Sequence, residues 1–214
     1  MTTESVRSRS FHTAVLVRGH IGQPIHLTGP EEWIDSILAA FAGNLIALEL
    51  SPRNAPPMRA ISVYSPSWKI PPDYTRGVDL SVLKPTQNRG LWLTDLLLAS
   101  LEHCRPNPRD LWVIAGDLNL SESFDAESWS AGGNKAYLDR MAALGLTECL
   151  RKAKGALTPT FKSPRGGWVS HQIDHLFVSE GLASRLVACE TGSQERVFDP
   201  SLSDHLPIVA TFGF

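Results

Sequence analysis

At 214 residues, with 43% hydrophobic, 20% charged and 8% aromatic side chains, the chain has enough apolar content to bury one sizeable core. Twenty Lys and Arg against 22 Asp and Glu leave a formal charge of -2, which argues against a mainly electrostatic grip on nucleic acid or an anionic membrane without excluding a local basic groove. Three cysteines, Cys104, Cys149 and Cys189, are widely spaced with no C-x-x-C, which suggests neither a disulfide framework nor a thiolate zinc knuckle and suits a reducing compartment. No apolar run reaches the ~18 residues of a membrane span, and no signal-type apolar stretch follows the polar start. The expectation is a soluble, cytoplasmic protein.

In chain order, residues 1–10 are rich in Ser, Thr and Arg and read as a disordered tail, leaving 11–214 as a single domain. Short apolar, β-branched runs of strand length follow at 12–17, 45–50, 59–64, 111–115, 173–178, 186–189 and 208–212. Between them, Pro30-Glu31-Glu32 opens a helix whose Trp33, Ile34, Ile37, Leu38 and Phe41 share a face before Gly43-Asn44 stops it. A second helix covers 91–103, ended by Pro106 and Pro108, and a third covers 134–144, stopped by Gly145. Residues 66–88, with four prolines, read as a long surface connection. Strands that outnumber the helices without strict alternation predict an α+β class, a sheet sandwich flanked by helices.

The densest chemical signal is Leu111-Trp112-Val113-Ile114-Ala115-Gly116-Asp117-Leu118-Asn119-Leu120. An apolar strand runs into Gly-Asp-x-Asn, and extended backbone puts Asp117 and Asn119 on one side. A carboxylate that accepts protons or ligates a hard cation, beside a neutral amide, suits the orientation of a water on a phosphate; the same residues also suit a plain Asp/Asn turn. Ser203-Asp204-His205-Leu206-Pro207-Ile208 places an acid and an imidazole at a strand entrance, where Mg²⁺ and a phosphoryl oxygen could be served together, or a capped turn with a surface histidine formed. In Gln172-Ile173-Asp174-His175-Leu176-Phe177-Val178 a carboxylate amid apolar neighbours needs a partner, either an imidazole N–H or an arginine. His171 and His175, four apart, would suit zinc on a helix, but this run is β-branched and has no thiolate near it.

Val63-Tyr64-Ser65-Pro66, Gly116-Asp117-Leu118-Asn119, Ile173-Asp174-His175 and Ser203-Asp204-His205-Leu206-Pro207-Ile208, in this order and spacing, resemble the endonuclease/exonuclease/phosphatase superfamily, of DNase I-like and abasic-endonuclease-like type. The resemblance implies a four-layer α/β/β/α sandwich of two mostly antiparallel sheets and a divalent-metal-dependent phosphoesterase, foremost a nuclease cleaving phosphodiester bonds. It implies Mg²⁺, with Mn²⁺ as a substitute, as cofactor. By motif, Asp117 orients or deprotonates the attacking water, Asn119 holds the phosphate, and Asp204 with Asp117 binds the metal. His205 stabilises the charge of the transition state, Asp174 is hydrogen-bonded to it, and Tyr64 touches the phosphate. Thr158-Pro159-Thr160-Phe161 resembles the family's Pro-Thr-Phe element, and Arg165 and Trp168 in a Gly-rich loop are candidate substrate contacts, by backbone pairing and base stacking.

The family's opening Asn motif and the Gln-Glu strand that supplies a principal metal ligand have no counterpart here, so the sandwich is expected to lack its first strands. A longer chain or a partner supplying those strands, or a loss of hydrolysis with binding retained, would each account for this. The rival readings are therefore an inert binding domain on the same fold and a phosphatase acting on small or inositol phosphates. Arg151-Lys152-Ala153-Lys154, Lys162 and Arg165 form the one local basic stretch, equally readable as a solvated helix end.

Overall fold

The computed structural model describes residues 12–83, 90–107, 109–127 and 132–214. The expected tail at 1–10, and Pro85, Asn88 and Pro108 of the loop and helix-stop readings, lie outside them. The strands are β1 (Gly19–Pro24), β2 (Leu45–Pro52), β3 (Met58–Tyr64), β4 (Trp112–Asp117), β5 (Leu146–Glu148), β6 (Phe161–Lys162), β7 (Val169–His171), β8 (Asp174–Ser179), β9 (Leu186–Thr191) and β10 (Ile208–Phe212). The helices are α1 (Glu32–Ala40), α2 (Leu93–Cys104), α3 (Asn134–Ala143) and three short ones, α4 (Cys149–Lys154), α5 (Glu180–Ala183) and α6 (Gln194–Val197).

Six strands form one sheet in the order β1-β2-β3-β4-β8-β5, while β9 pairs with β10 and β6 with β7 as two-stranded units. All neighbours in the large sheet are antiparallel except β3 and β4, which are parallel and joined by a crossover containing α2. This mixed α/β architecture, a large sheet with a small second one, agrees with the expected class.

Alternation along the strands assigns the two faces of the large sheet. Leu45, Ala47, Ile61, Val63, Trp112, Ile114 and Phe177 point to the side covered by α1, α2 and α3, forming the main core with Ile34, Ile37, Leu96, Leu97, Tyr137 and Met141. Helix α2 is buried nearly all round, so its leucines carry no single apolar stripe. Its first turn is closed by the Trp92 N–H donating to Asp95 Oδ2 at 3.0 Å. On the opposite face Val113, Leu176 and Val178 pack with Ile208, Ala210 and Phe212 of β10, Cys189 of β9 and Leu150 of α4. Only this half of that face is covered by the β9–β10 pair.

Two expectations need correction. Residues 12–17 are not a ladder strand. Their exposure alternates with period two, but Thr13 donates one backbone bond to Gly43, and among the described residues no strand pairs with the run. Thr13 and Ala14 instead touch Ser62 on the open face of β3. The edge strand is β1, whose sequence GHIGQP, with two glycines and a proline, carries no alternating signal. The connection at 66–88 is also more than a surface loop, because Ile70 and Leu83 are buried in the main core. Two short 3-10 turns, Pro72–Tyr74 and Leu80–Leu83, stiffen it.

The strand pair that carries the later chemistry is held close by Gly116. Its φ is +143°, and a Cβ there would lie 1.9 Å from the Val63 carbonyl oxygen on β3. Gly116→Ala is expected to destabilise the protein by more than about 1 kcal/mol, read as a lower urea midpoint; an unchanged midpoint would contradict the close β3–β4 approach.

Candidate active site

Register brings three motifs into one row. Tyr64 of β3 is opposite Asp117 of β4, and Asp117 is opposite Asp174 of β8, so the three side chains stand abreast on the face turned away from α1, α2 and α3. Beyond Asp117 the chain turns: Leu118 N–H donates to the Ile173 carbonyl (3.0 Å), and Asn119 adopts φ +47°, a left-handed conformation that asparagine tolerates. Asn119 then folds back on the carboxylate, its backbone N–H donating to Asp117 Oδ1 (2.8 Å) and its Nδ2 to Oδ2 (2.9 Å) and to the Ser65 carbonyl (2.7 Å). Both amide hydrogens are therefore engaged, leaving Oδ1 as the remaining acceptor of that side chain.

His205 joins the row from the segment that leads into β10. Its Nδ1–H donates to Asp174 Oδ2 (2.9 Å) and Oδ1 (3.1 Å), which leaves Nε2 outside this pair. The segment around it is stitched to β6: Lys162 N–H donates to the Asp204 carbonyl (2.8 Å), Leu206 N–H donates to the Thr160 carbonyl (2.7 Å), and Phe161 forms a bridge with His205. The buried Thr160 hydroxyl accepts from the Ile173 and Asp174 N–H groups (3.2 Å each), which gives the Pro-Thr-Phe element a physical role that its sequence did not reveal. A cleft of about 530 Å³, lined in part by Gly116, Asp174, Leu176, Ser203, His205 and Pro207, opens beside the pair.

Electrostatics divide the work between the groups. Burial and the neighbouring Asp174 carboxylate push Asp117 up to about 7, against the Asn119 hydrogen bonds and His205, which pull the other way. The hydrogen bond to Asp174 raises His205 and favours the imidazolium. Burial and Asp117 raise Tyr64, keeping its phenol protonated. A base near neutrality thus stands beside a cationic donor.

Tyr64, Asp117, Asn119, Asp174 and His205 come together. Asp204, immediately before His205, is exposed and close enough to influence its charge. Trp168 (54% exposed) and Arg165 sit in the turn between β6 and β7, the indole lying over Gly166. The basic run on α4 is engaged structurally, Arg151 with Glu122 (2.8 Å) and Lys152 with the Ala183 carbonyl (2.7 Å). His171 and His175 do not converge on a metal: His171 Nδ1 meets Ser123 Oγ (2.8 Å), and His175 Nε2–H donates to the Leu120 carbonyl (2.9 Å). Neither the Ser123–His171 pair nor the His175 contact is signalled by a motif.

The sequence matches the model of the Endonuclease/Exonuclease/phosphatase family over residues 7–205, and the chain belongs to that family. No curated protein sequence is significantly similar to it. Among solved structures it resembles a 3′ phosphatase from Neisseria bound to a product DNA hairpin, with 19% identity, 90% of this chain and 72% of that one covered, and a TM-score of 0.59. An AP endonuclease from Archaeoglobus fulgidus, at 19% identity, covers 92% of this chain and 72% of its own, with a TM-score of 0.62. A 3′-5′ exonuclease from Neisseria meningitidis, at 20% identity, covers 92% and 73%, with a TM-score of 0.62. At these identities the likeness establishes the shared fold.

The family implies a divalent ion, and the donor set suits an open site for one. Magnesium commonly takes one or two carboxylates and fills its remaining positions with water and phosphate oxygens. Among the described residues no group of three or more His, Cys, Asp or Glu side chains is placed to hold a metal. Asp117, raised by burial and by the adjacent carboxylate, is a group that a nearby cation would return to its ionised form, and Asp204 offers an exposed carboxylate next to His205.

Behind the row, burial lowers His175 below the ordinary histidine value of 6.5, against Glu148 and Asp174, which pull it up, and with Arg151, which pushes it further down. Its folded pKa lies below its unfolded one, so the unfolded chain takes up the proton first and stability falls as pH drops below 6.5. His175→Phe is expected to flatten the dependence of the unfolding free energy on pH below that value; a slope equal to wild type would contradict a neutral, buried imidazole.

Proposed function

We propose that the chain is a divalent-metal-dependent phosphoesterase that hydrolyses phosphodiester bonds in nucleic acid. The observation that carries this reading is the row Tyr64–Asp117–Asp174 with His205 held by Asp174, which sets a carboxyl raised toward neutrality beside an imidazole whose protonated form is favoured. Asp117 takes the proton of the attacking water while Asn119 Oδ1 accepts from the same water. The phosphate-holding role implied for Asn119 requires its amide to exchange the Ser65 carbonyl for the substrate. His205 Nε2–H and the Tyr64 hydroxyl donate to the oxygens on which charge accumulates, and Asp174 keeps the imidazole charged and oriented. Asp117 and Asp204 would hold Mg²⁺, or Mn²⁺ in its place. When bound, the ion neutralises non-bridging phosphate charge.

Nucleic acid is the favoured substrate on two grounds. The structural neighbours named above include an AP endonuclease and a phosphatase with DNA bound. Cross-strand pairing also lines up His205, Phe161 and His171 on one face, with ring centroids 5.0 Å apart for the first pair, and Phe124 packs on His171 at 4.6 Å. Such a row, with Trp168 and Arg165 near its turn, suits bases and backbone flanking a cleaved phosphate. Additional strands, from a longer chain or from a partner, would find the unpaired edge of β10 and the exposed Val187 and Val209 of the small sheet. The free thiols of Cys104, Cys149 and Cys189 suit the cytoplasm. No helix among the described residues is long and apolar enough to cross a membrane.

The test is hydrolysis of an activated phosphodiester, then of DNA, RNA and inositol phosphates, with Mg²⁺ or Mn²⁺ against chelator. Asp117→Ala and His205→Ala are each expected to lower turnover by about 10²–10⁴-fold while the unfolding midpoint stays near wild type. Asp204→Ala is expected to raise the Mg²⁺ concentration required for activity. Full activity in the Asp117 or His205 variant, or turnover indifferent to chelator, would overturn the reading. Affinity for a polyanion without any turnover would favour the inert binding domain.

A further inference from the structure

Three consecutive residues at the start of β8, Ile173 just before it and Asp174 and His175 within it, hold the two halves of the site. The Ile173 carbonyl accepts the Leu118 N–H, the Asp174 carboxylate binds His205, and the His175 imidazole reaches the Leu120 carbonyl. Because neighbouring strand residues point to opposite faces, Asp174 acts at the front of the sheet and His175 at its back. His175 is 1% exposed, and its ring stacks on Phe177 at 5.6 Å with a 24° interplanar angle. A carbonyl only accepts, so Nε2 carries the hydrogen, and Nδ1 is left to accept from Gln172 Nε2 at 3.3 Å. Gln172 Oε1 in turn accepts the Thr158 N–H at 2.9 Å, which extends the chain of bonds from Thr158 to Leu120 and fixes the tautomer.

The bond lands one residue beyond Asn119, where the backbone is in its left-handed conformation and the amide holds Asp117. The front of this turn is fixed by Asp117 and Ser65, and Leu118 and Leu120 are anchored in the core. Its back is fixed by His175. We propose that His175 is a positioning residue of the phosphoesterase site, holding the Asp117–Asn119 turn in register with the Asp174–His205 pair through the Leu120 carbonyl. The proposal rests on the phosphoesterase reading for its kinetic consequence, while its structural consequence stands apart from it. Simple filling of space by an imidazole would be matched by any ring of similar size. Positioning needs the N–H.

The test compares His175→Phe, which keeps the ring but has no donor, with His175→Gln, whose amide N–H can reach the same carbonyl. The first readout is the NMR spectrum of the whole chain. His175→Phe is expected to shift or broaden the Asn119 backbone and side-chain amide resonances, and His175→Gln to leave them near wild type. The second is steady-state kinetics on the activated phosphodiester, where His175→Phe should lower kcat about tenfold at a KM within about twofold, and His175→Gln should recover most of the loss. Wild-type Asn119 resonances in His175→Phe, or equal perturbation by both substitutions, would overturn the proposal. If no hydrolysis is found, the phosphoesterase reading fails while the resonances still decide the contact. Should His175→Phe not fold, His175→Asn, whose amide is too short to reach Leu120, takes its place against His175→Gln with the same expectations.

Discussion

Two carboxylates set side by side on adjacent strands repel each other, and the centre of this molecule is arranged around that repulsion. Asp117 and Asp174 share a register position, where like charges are unfavourable. The fold offsets this in two directions. Asn119 curls back to donate to both oxygens of Asp117, and His205 arrives from the segment leading into β10 to donate to both oxygens of Asp174. Burial, and then the repulsion that remains, lift Asp117 to about 7, where a carboxyl group can exchange protons with water at ordinary pH. A structural cost is thus tied directly to a chemical property.

The same constraint explains why the surrounding scaffold is so closely fitted. Gly116 lets β4 approach β3 where a side chain would collide with the Val63 carbonyl, which brings Tyr64 beside Asp117. Thr160 fixes the backbone on which Asp174 stands, and the Asp204 and Leu206 backbone bonds fix the segment carrying His205. These are backbone and hydroxyl contacts from five separate stretches of sequence. The large sheet is the common frame, and the segment leading into β10 contributes one decisive side chain.

Much of this was legible in the sequence for physical reasons. Gly-Asp-x-Asn closes an apolar run while Ile-Asp-His and Ser-Asp-His open theirs, and alternation sets the side to which Asp117 points; Asn119 reaches it by a left-handed turn, not by the extended backbone that the spacing suggests. The helices α1, α2 and α3 carry clear punctuation at Pro30, Pro106 and Gly145. The edge strand β1 was hidden because glycine and proline replace the alternating pattern, and the run at 12–17 was read as a ladder strand because periodicity cannot report whether a neighbour exists. Short strands such as β6 and β7 hold too few residues for a period to show. The roles of Thr160 and His175 were invisible for another reason: they depend on bonds to carbonyl and N–H groups of residues distant in sequence, which leave no mark on composition or spacing.

The central claim is that one surface, bounded by Asn119, Tyr64 and His205, receives the reacting phosphate. It is tested most directly by a crystal structure of the Asp117→Asn variant with a short DNA oligonucleotide. The account predicts a backbone phosphate within hydrogen-bond distance of His205 Nε2 and the Tyr64 hydroxyl, with flanking nucleotides along Phe161 and His171. DNA bound elsewhere on the molecule, with His205 and Tyr64 facing only solvent, would contradict it.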